Sequence, residues 1–272
     1  MDLEKISRQV RLDVLDASGT SGGGHLGGTF SCVEILVSVF FSDLFTFKSA
    51  LSNENSKRDY FILSKGHACL AYYSILRQIG KMSEERFYSF ATNSGLGAQL
   101  DTSIPGVDWN TGSLGHSIGI CAGLSIASTL DDKNGKAVTL IGDSELSEGS
   151  TWEALAFCGD NKLSNVIVVV DRNRLSVTTR IDMDSIYSGL EQKIRLFGWN
   201  FSEIDGHSHD EIANSLNVAF NSNKPTMILA NTIKGKGVKF MENNITWHHK
   251  KPSISELELA KKELLKDLER NL

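Results

Sequence analysis

Prolines and long hydrophobic runs are both scarce in this sequence. Only 3 of its 272 residues are proline, and no linker rich in proline, glycine or serine divides the chain. We therefore expect a single domain over residues 1–272. No uninterrupted apolar stretch reaches the roughly 20 residues that a membrane-spanning helix needs, and the apolar core of a signal peptide is missing near Met1. These absences predict a cytoplasmic protein that does not contact a membrane.

An excess of positive charge is also missing. Lysine and arginine total 28 against 33 aspartates and glutamates, which gives a net charge of −5 and argues against nucleic acid as a partner. Cysteine is sparse, and no two cysteines form a Cys-x-x-Cys pair, so we expect buried, reduced thiols rather than disulfides or zinc ligands. The four cysteines are Cys32, Cys69, Cys121 and Cys158.

The residues that are present are typical of a globular α/β protein, with 40% hydrophobic and 22% charged side chains. Short apolar runs alternate with helical patterns, and such alternation predicts a doubly wound, mostly parallel sheet with helices on both faces. The run at 166–170 is continuously β-branched, as in a strand buried on both sides. The predicted strands cover residues 60–63, 137–141, 166–170, 201–204 and 226–230.

Two capping-box patterns predict where helices begin. Ser31 stands three residues before Glu34 and precedes an apolar run, which indicates a largely buried helix over 33–41. Ser253 and Glu256 repeat the pattern before a charged closing helix.

Distinctive polar residues follow two of the predicted strands. Asp143 comes directly after the strand at 137–141, and Asn173 follows the strand at 166–170. Because ligands bind beyond the carboxyl ends of parallel strands, these side chains are expected to lie side by side. One carboxylate and one amide oxygen suit Mg²⁺ whose remaining ligands are phosphate oxygens and water. Taken singly, each residue is equally typical of a helix cap or a turn.

The Gly142-Asp143 pair, followed about thirty residues later by Asn173, resembles the thiamine diphosphate fingerprint. The wider chain resembles the N-terminal, diphosphate-binding domain of transketolases, because five further motifs of that family occur in order. They are a Ser-Gly-His-Pro-Gly-Gly-like loop at 22–31, a Leu-Ser-x-Gly-His-Ala segment at 59–70, Thr-Gly-Ser-Leu-Gly at 111–115, Asp-Gly-His at 205–207, and a Lys-Gly-x-Gly to His tail at 234–248.

The resemblance implies two cofactors, thiamine diphosphate and Mg²⁺, or Ca²⁺ or Mn²⁺ in its place. It implies that the metal is bound by Asp143, Asn173 and the backbone carbonyl of Leu175. It also implies that the diphosphate contacts His67, His248 and the Ser144 amide. The residues implied to contact the cofactor are His67, Gly112, Ser113, Leu114, Gly142, Asp143, Ser144, Glu148, Asn173 and His248.

Three histidines are implied to act in catalysis, with His25 and His67 lining the substrate channel and His248 beside the diphosphate. Glu148 corresponds to a glutamate at the family's dimer interface. Without the resemblance, each histidine is as typical of a core or turn position as of a ligand. Glu148 is likewise typical of an acid in the first turn of a helix. The glycines at 22–24 follow a predicted helix rather than a strand, which argues against a dinucleotide loop.

The implied activity is transfer of a two-carbon ketol unit from a ketose, or ketose phosphate, to an aldose acceptor. The family's pyrimidine-binding domain would have to follow Leu272, so we expect the N-terminal subunit of a split transketolase. A C-terminal partner chain would complete the site, most simply in a heterotetramer built around a two-fold dimer. Alone, the chain should bind cofactor weakly and catalyse nothing.

Three departures from the family pattern leave other functions open. Ser144 replaces a glycine, His116 replaces a glutamine, and residues 97–101 lack the usual Gly-His-Pro. The last difference favours, as an alternative, a specialised ketol or acyl transferase of secondary or cell-surface sugar biosynthesis. Ser144, together with Arg172 and Arg174, also leaves room for a noncatalytic scaffold subunit.

Overall fold

Five parallel strands form one central sheet. The computed structural model describes residues 1–20, 23–46, 58–176 and 184–269. The strands are β1 Tyr60–Leu63, β2 Ala137–Gly142, β3 Val166–Arg172, β4 Asn200–Asp205 and β5 Thr226–Asn231. They lie in the order β1-β2-β3-β5-β4, and all neighbours are parallel. The predicted doubly wound sheet is therefore confirmed, and β3 is its middle strand.

The helices occupy the connections between the strands and the two ends of the chain. They are α1 Leu3–Thr20, α2 Leu26–Phe30, α3 Val33–Phe40, α4 Cys69–Gln78, α5 Glu84–Tyr88, α6 Ser117–Leu130, α7 Gly149–Asp160, α8 Asp184–Tyr187, α9 Leu190–Leu196, α10 His209–Phe220 and α11 Ile254–Glu269. None of the helices in the described ranges combines the length and the apolar character needed to span a bilayer.

Alternate side chains of the strands pack into two separate hydrophobic cores, one on each face of the sheet. Ile167 and Val169 of β3 belong to a core that contains residues of α1, α3, α4 and α10. Val168 and Val170 point to the opposite face, where they join residues of α6, α7 and α9. This period of two, with apolar residues on both faces, explains why the β3 sequence is continuously hydrophobic. The buried cysteines are distributed between these cores and are all free thiols, as predicted.

The first predicted capping box is wrong. The helix begins after Cys32, and the Ser31 hydroxyl donates instead to the Gly28 carbonyl at 3.1 Å and to Asp171 Oδ2 at 2.6 Å. Glu34 accepts two hydrogen bonds from Arg11, which lies on α1. Long-range polar partners therefore replace the local cap at this helix start.

The second capping box is present as predicted. The Ser253 hydroxyl accepts the amide of Glu256 at 3.2 Å, and Glu256 Oε2 accepts the amide of Ser253 at 2.8 Å. This helix start is exposed, so the local pattern has no buried partner to compete with it.

A buried carboxylate ties α1 and α3 to the loop that follows β5. Glu34 accepts two bonds from Arg11, at 2.5 and 2.8 Å, and a third from His207 Nδ1 at 2.9 Å. His207 Nε2 in turn accepts the Ile233 amide at 2.8 Å, so the ring is held as the Nδ1–H tautomer. Although burial alone would raise the pKa of Glu34, Arg11 and His207 hold it well below its usual range.

Replacing Glu34→Ala should lower the free energy of unfolding by about 3 kcal/mol, because it leaves the buried Arg11 guanidinium without its partner. Urea denaturation of the full chain measures this change. Glu258→Ala, at an exposed position of α11, is the matched control and should change the free energy by less than about 0.5 kcal/mol. Equal effects of the two substitutions would contradict the importance of the buried network.

Candidate functional site

A cavity of about 450 Å³ opens at the carboxyl ends of β2 and β3. Most of the residues singled out from the sequence contribute to its wall. The lining residues are His25, Gly28, Lys65, His67, Gln99, Gly112, Leu114, Gly142, Asp143, Ser144, Glu145, Asn173, Leu175, Ser176, Lys234 and His248.

The adjacent strands β2 and β3 bring Asp143 and Asn173 to this one cavity. Gly142 lies opposite Asp171 in the parallel register, so the residues that follow the two strands emerge side by side. Asp143 Oδ2 accepts the backbone amide of Arg174 at 2.6 Å, and Arg174 turns the chain with a φ of 62°. The carboxylate is therefore fixed against the turn that carries the amide.

Asp171 determines which end of the Asn173 amide is available to a ligand. The Asp171 carboxylate is fully buried, forms an ion pair with Lys65 Nζ, and accepts Asn173 Nδ2 at 3.2 Å. Because a carboxylate only accepts hydrogen bonds, the NH₂ group must face Asp171. The oxygen of Asn173 then points away from it and accepts the Leu175 amide at 3.2 Å.

The oxygen groups at this edge fit a divalent cation. Burial and the charge of Asp171 raise the pKa of Asp143 to about 7, although Lys65 acts in the opposite direction. Asp143, the Asn173 oxygen and the Leu175 carbonyl are hard oxygen donors of the kind that Mg²⁺ prefers. Among the described residues, no group of three His, Cys, Asp or Glu side chains is arranged to hold a metal ion. Phosphate oxygens and water are the further ligands that Mg²⁺ favours at a site with few protein donors.

Three imidazoles stand together at one wall of the cavity. The ring centroids of His25, His67 and His248 lie 5.2 to 5.8 Å apart. Burial lowers the pKa of His25 and of His248 to about 4, with further lowering by neighbouring imidazoles and lysines. The pKa of His67 is lowered well below its usual value, again mainly by burial. All three rings are thus neutral near pH 7, and each offers one donor and one acceptor.

A short antiparallel bridge holds this cluster together. Gly24 exchanges backbone hydrogen bonds with Lys250, at 3.4 and 3.2 Å, which places His25 beside the segment after β5. The exposed ring of His249 then lies edge-on to His25, with centroids 4.6 Å apart. Sequence reasoning did not single out His249, because nothing in the local pattern relates it to His25.

Lys234 is a further cation of the site that was not assigned a role from the sequence. Its Nζ donates to the carbonyls of Leu175 and Ser176, at 3.1 and 3.0 Å, and contacts His248 Nδ1 at 2.8 Å. Burial and the charge of Lys65 lower the pKa of Lys234 to about 8. A carbonyl oxygen has two lone pairs, so the contact to Leu175 is compatible with a metal bond at the same oxygen.

Glycines shape the opposite wall. Gly112 has a φ of 132°, a conformation that side chains rarely adopt, and it lines the cavity together with Leu114. Backbone can therefore approach a flat ligand closely from this side.

Two predicted residues do not reach the cavity. Ser113 faces a separate recess of about 290 Å³ that His116 also lines, and Glu148 is exposed where α7 begins. Other lining residues had no predicted role although most belong to recognised motifs or strand ends. These residues are Gly28, Lys65, Gln99, Glu145, Ser176 and Lys234.

Comparison with known proteins gives a consistent result. Residues 3–268 match the family model described as the transketolase, thiamine diphosphate binding domain. The chain is 35% identical over 266 residues to one subunit of the apulose-4-phosphate transketolase of Actinobacillus succinogenes, covering 97% of this chain and 96% of that protein. It is 34% identical over 274 residues to 6-deoxy-6-sulfo-D-fructose transketolase subunit SqwG of Clostridium sp. strain MSTE9, covering 98% of each.

The fold is also similar to that of a complete transketolase. The crystal structure of transketolase from Campylobacter jejuni superposes with a TM-score of 0.86 at 25% identity. The match covers 96% of this chain but 42% of the Campylobacter chain, so the chain spans less than half the length of that transketolase.

The raised pKa of Asp143 predicts a pH-dependent cost to stability in the absence of cations and cofactor. The unfolded pKa is about 4 and the folded pKa about 7, so the folded state binds the proton more tightly. The stabilising contribution of the protonated group is complete below pH 4 and is lost as the pH rises to about 7.

Asp143→Asn should abolish this loss and raise the free energy of unfolding near pH 8 by about 4 kcal/mol. The asparagine keeps an oxygen that can accept the Arg174 amide. Urea denaturation at pH 4 to 8 measures the effect, with Asp131→Asn on the surface as the control. A variant less stable than the wild type at pH 8 would show that Asp143 is primarily a structural residue.

Proposed function

The chain belongs to the transketolase family, and on that premise we propose that it is the N-terminal subunit of a split, thiamine-diphosphate-dependent transketolase. The observation that carries the proposal is the buried Asp143 carboxylate together with the Asn173 amide, in one cavity with three imidazoles. A helix cap or a turn would require neither the shared cavity nor the imidazoles.

Thiamine diphosphate, when bound, supplies the carbon nucleophile and the electron sink that carbon–carbon bond cleavage beside a carbonyl requires. The chain's own part begins with the metal, which Asp143, Asn173 and the Leu175 carbonyl would hold. Mg²⁺ is the proposed ion because the donors are few hard oxygens of low total charge. In this way the strand ends of β2 and β3 would anchor the diphosphate end of the cofactor.

Hydrogen-bond donors around the metal site would bind the diphosphate. His67, His248 and the Ser144 amide are proposed to contact its oxygens, and the ammonium of Lys234 adds positive charge at the same wall. Ser144 keeps the backbone donor that the family's glycine provides, since only its side chain differs. The serine thus leaves the proposed diphosphate contact in place.

The ring of the cofactor is proposed to lie against the backbone of Gly112 and Leu114, with Ser113 on the far side of the turn. The neutral imidazoles of His25 and His67 would face the substrate. Each can donate a hydrogen bond to a carbonyl or hydroxyl oxygen and accept one from a hydroxyl, and so can hold or pass a proton between oxygens without carrying a permanent charge.

The proposed reaction transfers a two-carbon ketol unit from a ketose to an aldose. Two relatives that align over nearly their full length are named for apulose 4-phosphate and 6-deoxy-6-sulfo-D-fructose, so we propose an anionic ketose as one reactant. A specialised ketol transferase is the second candidate. Gln99 favours it, because its amide lines the cavity in the segment that lacks Gly-His-Pro.

A partner subunit is proposed to supply the pyrimidine-binding domain. The relatives that are named as single subunits of a transketolase match this chain over nearly their full length, whereas the Campylobacter transketolase is more than twice as long. An exposed apolar surface lies on α6 and α7, and it presents Ile126, Leu130 and Phe157. We propose this surface, called the α6–α7 face below, as the contact for the partner within a cytoplasmic heterotetramer, in which Glu148 would lie at the two-fold interface.

Calorimetry on the paired subunits tests cofactor binding. We expect Asp143→Ala and Asn173→Ala each to weaken thiamine diphosphate binding in the presence of Mg²⁺ by at least 100-fold, since each removes a metal ligand. Asp131→Ala, on the surface, should bind as the wild type does. Ketol transfer by the same samples should fall in parallel. Unchanged affinity in both site variants would defeat the assignment, and a wild-type pair that gives no heat of binding would favour the scaffold.

Phe157→Glu on the α6–α7 face should weaken association with the partner at least tenfold, because a charge would be buried in an apolar contact. Analytical ultracentrifugation measures the association. Val218→Glu, on α10 at the opposite side of the sheet, is the control for a new surface charge and should leave association intact. Equal association of both variants would exclude this face as the contact.

A further inference from the structure

Glu145 is a buried acid to which the proposed function assigns no role. It lies within the short 3₁₀ turn Asp143–Ser147, is only 1% exposed, and contributes to the wall of the cavity. Both of its carboxylate oxygens are occupied. Oε1 accepts the Gly142 amide at 2.9 Å, while Oε2 accepts the Gly115 amide at 2.8 Å and the Ser64 hydroxyl at 2.5 Å.

The three donors come from three separate segments around the cavity. Ser64 follows β1, Gly142 ends β2 just before the metal-side residue Asp143, and Gly115 closes the turn that contains Gly112. A single side chain therefore connects the proposed ring-side turn to the proposed metal-side turn. The Gly115 carbonyl is bound separately by the Ser150 hydroxyl at 2.9 Å, so the turn is anchored to α7 as well.

Gly115 has little freedom to adjust if this connection is changed. Its φ is 80°, and a Cβ at this position would lie 2.5 Å from the Cβ of Glu148. The turn is packed directly against the start of α7, so its hydrogen-bond partners determine its position to within a small tolerance.

We propose that Glu145 is a positioning residue that sets the distance between the turn that contacts the cofactor's ring and the turn that binds its metal and diphosphate. This inference rests on the proposed function, since it assumes thiamine diphosphate at the site. Glu145 acts through Gly115 and Gly142 and needs no contact with the cofactor itself.

The chemistry of the side chain explains why an acid is required. Two backbone N–H groups approach different oxygens of one group, and only a carboxylate offers an acceptor at both ends. In Glu145→Gln one end becomes an NH₂ donor that faces an N–H donor. The Ser64 hydroxyl can rotate to accept from the new amide, so the NH₂ end faces Ser64, and the Gly115 amide at the same end loses its buried partner.

The test compares two ligands. Thiamine diphosphate would contact both the ring-side turn and the metal-side turn, whereas pyrophosphate would contact only the metal side. In the presence of Mg²⁺ and the partner chain, calorimetry measures the binding of thiamine diphosphate and of inorganic pyrophosphate, which needs only the metal side. For Glu145→Gln we expect a loss of about 10-fold to 100-fold in affinity for thiamine diphosphate. Affinity for pyrophosphate should change by less than about threefold. Glu258→Gln on α11 is the matched control and should leave both affinities unchanged.

A general loss of structure would weaken both ligands equally, and that result would overturn the inference, as would unchanged binding of both. Should Glu145→Gln fail to fold in a thermal melt, Ser64→Ala decides: it leaves the acid in place but removes one of the two donors at Oε2. A lower affinity for thiamine diphosphate with unchanged affinity for pyrophosphate then supports the inference. An equal change in affinity for both ligands, or no change, contradicts it. If the wild-type pair binds pyrophosphate but not thiamine diphosphate, the proposed function itself fails.

Discussion

The ion pair between Lys65 and Asp171 is the interaction on which the rest of the site depends. Both groups are almost completely buried, and the lysine ammonium also donates to the Gly28 carbonyl at 2.7 Å. Asp171 additionally accepts the hydroxyls of Ser31 and Thr232. One charge pair thereby joins the end of the middle strand to α2, to the start of α3 and to the loop after β5. Removing charges from water is costly, and these hydrogen bonds are what make their burial tolerable.

The same pair sets the electrostatic character of the cavity. Lys65 forms an ion pair with Asp171, whereas burial raises the pKa of Asp143 and lowers that of Lys234, so both of these groups are less favourable in their charged forms. The imidazoles contribute no charge near neutral pH. The cavity thus holds an acid that favours a cation and a lysine that favours an anion on neighbouring walls, which is the arrangement that a metal–diphosphate complex satisfies at both ends.

The sequence predicted those features that depend on local pattern and topology. The strands, their parallel arrangement and the meeting of Asp143 with Asn173 follow from hydrophobic periodicity and from the rule for strand ends. The capping box at Ser253 was equally predictable because that helix start is exposed. Ser31 was not, since its partner Asp171 lies 140 residues away, and a local pattern contains no information about such a contact. Glu145 was missed for a related reason: a first-turn acid is common, and only the folded chain reveals Gly115 as its partner.

The bridge between Gly24 and Lys250 has a consequence for the life of the protein in the cell. It joins segments near opposite ends of the chain, and it is this contact that places His25 within reach of His248. Pairings so distant in sequence form late, because the loop between them must close first. During synthesis the imidazole wall cannot form until the ribosome has delivered the segment after β5. A prematurely terminated product that lacks the segment after β5 would keep the strands but would lack His248 and the bridge that positions His25.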